Sequence, residues 1–127
     1  MRVMMMIKGD REPGHLPGEE FLAQMGKYNE ELSKAGVLLD LAALHWSAEG
    51  VRVKFSAGTR TVIDGPFGEA KAIVAGYWIL QVQSMEEAIE WAKRLPFEAG
   101  GEPEAEGEIE LRQLFELDEL GESPAVE

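Results

Sequence analysis

The sequence predicts an α+β domain in which two helices cover one face of an antiparallel sheet. Two segments show the apolar spacing of helices, several short segments show strand patterning, and glycine or proline separates them. A chain of 127 residues is long enough for one domain with a single packed core. No internal repeat divides it. We therefore predict one domain over residues 1–117, followed by an acidic tail over residues 118–127.

The first two elements are a strand and a helix. The segment RVMMMIKG, residues 2–9, is mostly apolar, which predicts a strand near the centre of the sheet. A loop rich in glycine and proline follows it. From Glu19 onward, apolar residues recur at steps of three and four, which predicts a helix that Gly36 ends. The apolar positions of this helix are Phe21, Leu22, Met25, Tyr28, Leu32 and Ala35.

The middle of the chain predicts further strands. The segment VLLDLAAL, residues 37–44, is ambiguous by periodicity alone, and its position after a helix-ending glycine favours a strand. In VRVKFS, residues 51–56, apolar and polar residues alternate strictly. Ala57-Gly58 can then form a tight turn into a second strand over residues 59–63, so the pair predicts a hairpin.

A strand and a second helix come next. The segment IVAGYWILQVQ predicts a strand in which Gly76 could mark a bulge. Ser84 and Glu87 have the spacing of a capping box, which places the start of a helix at this point. Proline cannot continue a helix, so Pro96 ends it.

The segment EIELRQLFEL, residues 108–117, predicts the final strand. With it, the order of elements favours a ferredoxin-like sandwich, in which both helices lie on one face of the sheet. The other face is then bare, although many alternating apolar residues need cover. A second copy of the chain could supply that cover by sheet-on-sheet packing, so we expect a homodimer.

The composition excludes several classes of function. The chain contains no cysteine, which excludes disulfides, thiolate chemistry and cysteine-ligated metal centres. Its two histidines do not have the spacing of a metal site, and no glycine-rich phosphate loop occurs, so we expect no metal and no cofactor. No segment is typical of a membrane span or a secretion signal, and we expect a cytoplasmic protein.

The net charge of -12 is concentrated in the last quarter of the chain. Residues 98–127 contain 11 of the 24 acidic residues and only one basic residue, Arg112. Nucleic-acid phosphates bind to clustered lysine and arginine, so we expect no direct nucleic-acid role. Arg112 could pair with neighbouring glutamates or bind a ligand that contains a carboxylate.

The stretch TVIDGPFGEAK, residues 61–71, is the strongest candidate for a functional site. Asp64 stands where a strand meets a turn, so its carboxylate could accept from turn amides or act as an acid or base. Phe67 could fill the core or form the wall of a pocket. Glu69 and Lys71 would point the same way on an extended chain, as a surface pair or as ligand-binding groups.

Of the two histidines, His45 is the better candidate for a site. Histidine changes its charge near neutral pH, so His45 could be a general base, although a structural role is equally compatible with the sequence. His15 lies in the loop rich in glycine and proline and has no spaced companion.

Several segments together resemble the YCII-related proteins of the DGPF-motif type. They are TVIDGPFGEAK, IVAGYWILQV, SMEEAIEWAKRLPF and EGEIELRQLFE, and the resemblance extends from the first strand to about Glu116. It implies a ferredoxin-like fold that dimerises into an α+β barrel, in a bacterial cytoplasmic protein of largely unassigned activity. A histidine–aspartate pair has been proposed as the active site of the wider group, which implies His45 and Asp64 here. The chain reads AALHWSA around this histidine, where the family typically has Gly-Leu-His-Pro.

Two functions of different classes follow. The first is a dimeric protein that binds an unknown small molecule and could be an enzyme, with His45 and Asp64 in proton transfer. Its ligand-binding residues would be Phe67, Glu69, Lys71 and Arg112. The alternative is a non-catalytic regulatory or protein-interaction module. Some relatives are encoded beside ECF-type sigma factors, which implies a regulatory connection, and the acidic segment could engage a basic partner.

Overall fold

A computed structural model of the chain describes residues 1–11, 13–97 and 107–121. The predicted acidic stretch therefore lies partly outside the described residues, at residues 98–106 and 122–127. The helices and strands of the described ranges are β1 (Arg2–Lys8), α1 (Glu19–Lys34), β2 (Leu38–Ala43), β3 (Val51–Ser56), β4 (Thr59–Asp64), β5 (Val74–Gln81), α2 (Met85–Lys93) and β6 (Glu108–Gln113). None of these helices is long and apolar enough to cross a membrane.

Four strands form an antiparallel sheet in the order β2-β5-β1-β6. The apolar β1 is an inner strand, as predicted, and Met5 lies opposite Trp78 on one side and Leu111 on the other. The α+β class is thus confirmed, and the ambiguous segment after α1 is a strand. The final strand is shorter than predicted, and Leu117–Leu120 forms a short 3₁₀ turn.

The strands β3 and β4 pair only with each other, as a two-stranded hairpin inserted between β2 and β5. Its turn lies at Ala57 and Gly58, as predicted, and both residues have positive φ, 49° and 82°. All twelve residues of the two strands are exposed. Without this hairpin the element order is β-α-β-β-α-β, which is that of ferredoxin-like folds.

The core lies between the two helices and one face of the four-stranded sheet. Its largest fully buried side chains are Met5, Leu32, Leu80, Val3 and Val82. Tyr28 joins the helices to the sheet, because its hydroxyl donates to the Trp91 carbonyl at 2.6 Å and its ring packs edge-on against Trp78. Burial raises the pKa of Tyr28 well above its ordinary value.

Two local predictions on β5 and α2 are confirmed. The register between β1 and β5 shifts beside Gly76, where a Cβ atom would lie 2.9 Å from the Ala42 carbonyl oxygen. Glycine therefore allows the close approach of β2 at the bulge. At the start of α2, the Ser84 hydroxyl accepts a hydrogen bond from the Glu87 amide at 3.2 Å.

The second face of the four-stranded sheet is turned away from both helices. Alternation along the strands places Met4 and Met6 on this face, opposite Ile79 and Tyr77 respectively. All four side chains are half-buried within the single chain. This face is therefore the apolar surface for which the sequence predicted a cover.

Candidate functional site

A cleft of about 690 Å³ opens where β1 ends. It is formed by the loop after β1, the first turn of α1, the segment after β2 and the start of β5. Its largest apolar lining residues are Leu16, Phe21, Leu44, Trp46 and Phe97. A mostly apolar concave surface with a few polar groups is typical of small-molecule sites.

The polar side chains of the cleft include both histidines of the protein. The ionisable lining residues are Lys8, Asp10, Arg11, His15 and His45. Of the six site residues predicted from the sequence, all of which lie in the described ranges, only His45 lines this cleft. The described ranges contain no group of three side chains able to hold a metal ion, so we assign no metal centre.

Asp10 ties the loop after β1 to the segment after β2. Its Oδ1 accepts hydrogen bonds from the Ser47 amide at 3.0 Å and the Arg11 amide at 3.1 Å, and its Oδ2 accepts from the Ser47 hydroxyl. Ser47 is only 6% exposed, so this link is shielded from solvent on one side. The hydrogen bonds, first that from the Ser47 hydroxyl, hold the pKa of Asp10 below its ordinary value. The Asp10 carboxylate thus has a structural role, because it holds two segments of the cleft wall together.

His45 is held by a carboxylate one helical turn further along the chain. Its Nδ1 lies 2.9 Å from Glu49 Oε2, and its ring packs edge-on against Trp46. An ionised carboxylate can only accept, so Nδ1 carries the proton of this hydrogen bond. The other ring nitrogen, Nε2, is left for a ligand. The His45 side chain is 82% exposed, which makes it accessible from the cleft and from solvent.

The DGPF stretch supports the segment that carries these residues. Ser47–Glu49 is a 3₁₀ turn, and the Gly65 amide donates to the Gly50 carbonyl behind it at 2.9 Å. A Cβ atom on Gly65 would overlap the Ser47 carbonyl oxygen, so only glycine fits at this position. The Gly65-Pro66 peptide bond is cis. The Phe67 amide donates to the Ser47 hydroxyl oxygen at 3.4 Å.

The Phe67 side chain packs outside the main core. Its half-buried ring lies against Gly50, and the Arg52 guanidinium stacks over it at 4.0 Å. Phe67 is therefore not part of the main core, and it does not line this cleft. It fastens the hairpin to the turn that carries Ser47 and Glu49.

The remaining predicted residues also lie outside the cleft. Asp64 is the exposed last residue of β4, opposite Val51, and the described contacts of His45 are with Glu49 and Trp46 instead. The extended geometry predicted for residues 69–71 is wrong, because Glu69 has a left-handed backbone (φ 32°) and a 3₁₀ turn follows. The predicted pairing of Arg112 with a glutamate is confirmed.

That pairing lies on β6. The Nη1 atom of Arg112 is 3.3 Å from Glu110 Oε2, and Lys8 Nζ is 3.2 Å from Glu110 Oε1. Hydrogen bonds from Lys8 and then from Arg112 hold the pKa of Glu110 below its ordinary value. Through Lys8, Glu110 is therefore connected to the cleft lining.

Sequence reasoning missed Asp10, Arg11 and Glu49. A signal existed for two of them. Asp10 is an acidic residue just after a strand, which is the feature that singled out Asp64. Glu49 stands four residues after His45, a spacing at which side chains meet on one turn of a helix.

The chain is thus an α+β protein with a loop-built cleft at one end of an antiparallel sheet. A model of the YCII-related domain matches residues 1–117, so the chain belongs to the YCII-related family, as the resemblance implied. It is also 29% identical over 107 residues to an uncharacterized protein of Rhizobium meliloti (strain 1021), which covers 84% of this chain and 82% of that protein.

Proposed function

We propose that this protein binds a small organic molecule in the cleft and that His45 exchanges a proton with it. The observation that supports this most is the pair formed by His45 Nδ1 and Glu49 Oε2 at 2.9 Å. A carboxylate at one ring nitrogen orients the imidazole and fixes its tautomer, so that the other nitrogen can act as a general base. The apolar lining of the cleft would hold the organic part of the ligand.

In this proposal Glu49 takes the place that the family resemblance gave to Asp64. Glu49 is the carboxylate in hydrogen-bonding contact with the histidine, whereas Asp64 ends the hairpin outside the cleft lining. Gly65 and Phe67 act indirectly, because their amides hold the hairpin against the Ser47–Glu49 turn. In this proposal His45 contacts the ligand, and the DGPF stretch positions the turn that carries Glu49.

The test is a ligand screen on isotope-labelled protein by amide NMR, combined with thermal shift. A ligand at a hundred times its dissociation constant adds about 2.7 kcal/mol to stability, which is a shift of several degrees in a domain of this size. We expect hits to perturb the amides of Phe21, Leu44 and His45, and to persist in Asp64→Asn. Hits that map to residues 64–71 and disappear in that variant would contradict the proposal and place the site at the DGPF stretch.

We further propose that the protein is a homodimer that forms an α+β barrel. Met4, Met6, Tyr77 and Ile79 make an apolar face on the sheet, and the hairpin exposes further apolar side chains, among them Phe55 at 67%. A second copy packed on the sheet face would bury these side chains, as in other two-fold assemblies. Sedimentation velocity tests this directly, and a monomer at every accessible concentration would contradict it.

A further inference from the structure

The charges of the cleft differ in sign from those of the chain as a whole. The chain has 24 acidic and 12 basic residues, whereas the lining residues that the structure describes include two cations and a single carboxylate. The cations are Lys8 and Arg11, and the carboxylate is Asp10. Both histidines of the protein lie in the same lining and can only add positive charge. Among the described lining residues, cations therefore outnumber carboxylates, although the protein has a net charge of -12. Lys8 is already paired with Glu110 at 3.2 Å, which leaves Arg11 as the described lining cation that an anion can use.

The carboxylates at this cleft are already bound to groups of the protein. Asp10 accepts three hydrogen bonds, two of them from Ser47, and Glu49 pairs with His45. In contrast, the Arg11 guanidinium makes no hydrogen bond or ion pair within residues 1–11, 13–97 and 107–121. Within the same ranges this also holds for the imidazole of His15. Both side chains are therefore available to donate hydrogen bonds to a ligand in the cleft.

We propose that the ligand of this cleft carries an anionic group, a carboxylate or a phosphate ester, which binds to Arg11 and His15. The inference rests on the proposed small-molecule function and specifies the class of ligand. A guanidinium binds a carboxylate or phosphate through two parallel hydrogen bonds, which gives orientation as well as attraction. The organic part of the ligand then lies against Leu16, Phe21 and Leu44, within reach of His45.

The start of α1 lies at the cleft and carries groups of both signs. Gly18 and Phe21 line the cleft, and the Gly18 position provides no side chain to cap the helix. The first amide groups of a helix have no partners within it, and the helix dipole is positive at this end. The same first turn also contains Glu19 and Glu20, whose negative charge opposes that of the amides, so the proposal rests on Arg11 and His15.

The test compares probes that differ in charge but share an apolar part. Phenylacetate, phenylacetamide, phenyl phosphate and inorganic phosphate are titrated separately into the labelled full-length chain, and dissociation constants come from the amide shifts of cleft residues. We expect phenylacetate or phenyl phosphate to bind about tenfold more tightly than phenylacetamide. Whichever of these two anions binds more tightly shows whether the site prefers a carboxylate or a phosphate ester. Inorganic phosphate alone should bind more weakly because it lacks the apolar part.

Charge-matched variants locate the effect. Arg11→Gln removes a cation from the cleft and His15→Gln removes an imidazole. Arg60→Gln makes the same substitution as Arg11→Gln, but on the exposed hairpin. We expect Arg11→Gln to weaken binding of the anionic probe about tenfold and to leave phenylacetamide unchanged. His15→Gln should act in the same direction, and Arg60→Gln should affect neither probe by more than about twofold.

Three outcomes would overturn the inference. If phenylacetamide binds in the cleft as tightly as the anions, the ligand class is wrong and the proposed function stands. If no probe shifts the cleft amides at millimolar concentration, the ligand class and the cleft function are both wrong. An equal loss in Arg11→Gln and Arg60→Gln would show that only the overall charge of the protein matters, and this also contradicts a built anion site.

Discussion

Replacing Gly65 by alanine is the sharpest test of how the DGPF stretch acts. A Cβ atom at this position would overlap the Ser47 carbonyl oxygen, and it would lie 2.7 Å from the Ser47 carbonyl carbon. Both atoms are backbone, so no side-chain rotation can relieve the contact. The turn that follows β4 must therefore move away from the Ser47–Glu49 turn.

The cost can be worked out from the contacts that this movement breaks. Two hydrogen bonds cross the junction, from the Gly65 amide to the Gly50 carbonyl and from the Phe67 amide to the Ser47 hydroxyl oxygen. Their loss costs about 1 kcal/mol each, and the residual overlap adds about 1–2 kcal/mol. We expect Gly65→Ala to lower the free energy of unfolding by roughly 3–4 kcal/mol, a fall of roughly 10–20 °C in Tm.

Urea unfolding followed by tryptophan fluorescence measures this change, with Gly68→Ala as the control within the same motif. A Cβ atom on Gly68 meets nothing within 4 Å, and only its positive φ of 67° penalises alanine, by about 1 kcal/mol. In Gly65→Ala the amide resonances of Ser47 and Glu49 should also shift, whereas in Gly68→Ala they should not. A Gly65→Ala protein as stable as the original, or an equal effect of both variants, would refute the reasoning.

Three other predictions concern the cleft and the dimer. The pKa of Asp10 is lowered in the folded protein, so its stabilising effect is present above the ordinary value of 3.8 and is lost as pH falls through the lower folded value. Asp10→Asn should therefore be less stable than the original protein at neutral pH, and urea midpoints should converge on acidification. In neutral His45, Glu49→Ala should remove the preference for the tautomer that carries the proton on Nδ1. Long-range ¹H–¹⁵N NMR measures the tautomer, and an unchanged tautomer would contradict the hydrogen bond between His45 and Glu49. Met6→Asp on the sheet face should prevent the proposed dimerisation and give a monomer in sedimentation velocity, whereas Leu22→Asp at an exposed position of α1 should leave the proposed dimer intact.

The elements of the fold could be predicted because their signals are local. Apolar patterning identified α1 and the other strands, and the position after Gly36 identified β2. Ser84 identified the start of α2, and Ala57-Gly58 identified the hairpin turn. Each of these signals depends on residues that lie close to each other in the sequence. The same reasoning failed at Glu69. Its backbone is left-handed, which is uncommon for a residue other than glycine, and the pattern of apolar residues does not indicate such a conformation.

The site could be predicted only in part, because its key contacts are not local. Asp10 and Ser47 are 37 residues apart, and their hydrogen bonds exist only once β1 and β2 are both in the sheet. The sequence shows an acidic residue after a strand and a serine before a turn, and neither indicates the other. His45 could be found from its chemistry alone, whereas its partner Glu49 required the conformation of the intervening turn.

These contacts also explain why a stretch outside the cleft can matter to the cleft. The Ser47–Glu49 turn has two sides: Asp10 binds it from the cleft side, and Gly65 and Phe67 bind it from the hairpin side. A change on either side moves the same short turn, and with it the carboxylate that orients His45. The DGPF stretch is therefore a turn by conformation and a support for the candidate site by position, without any of its side chains lining the cleft.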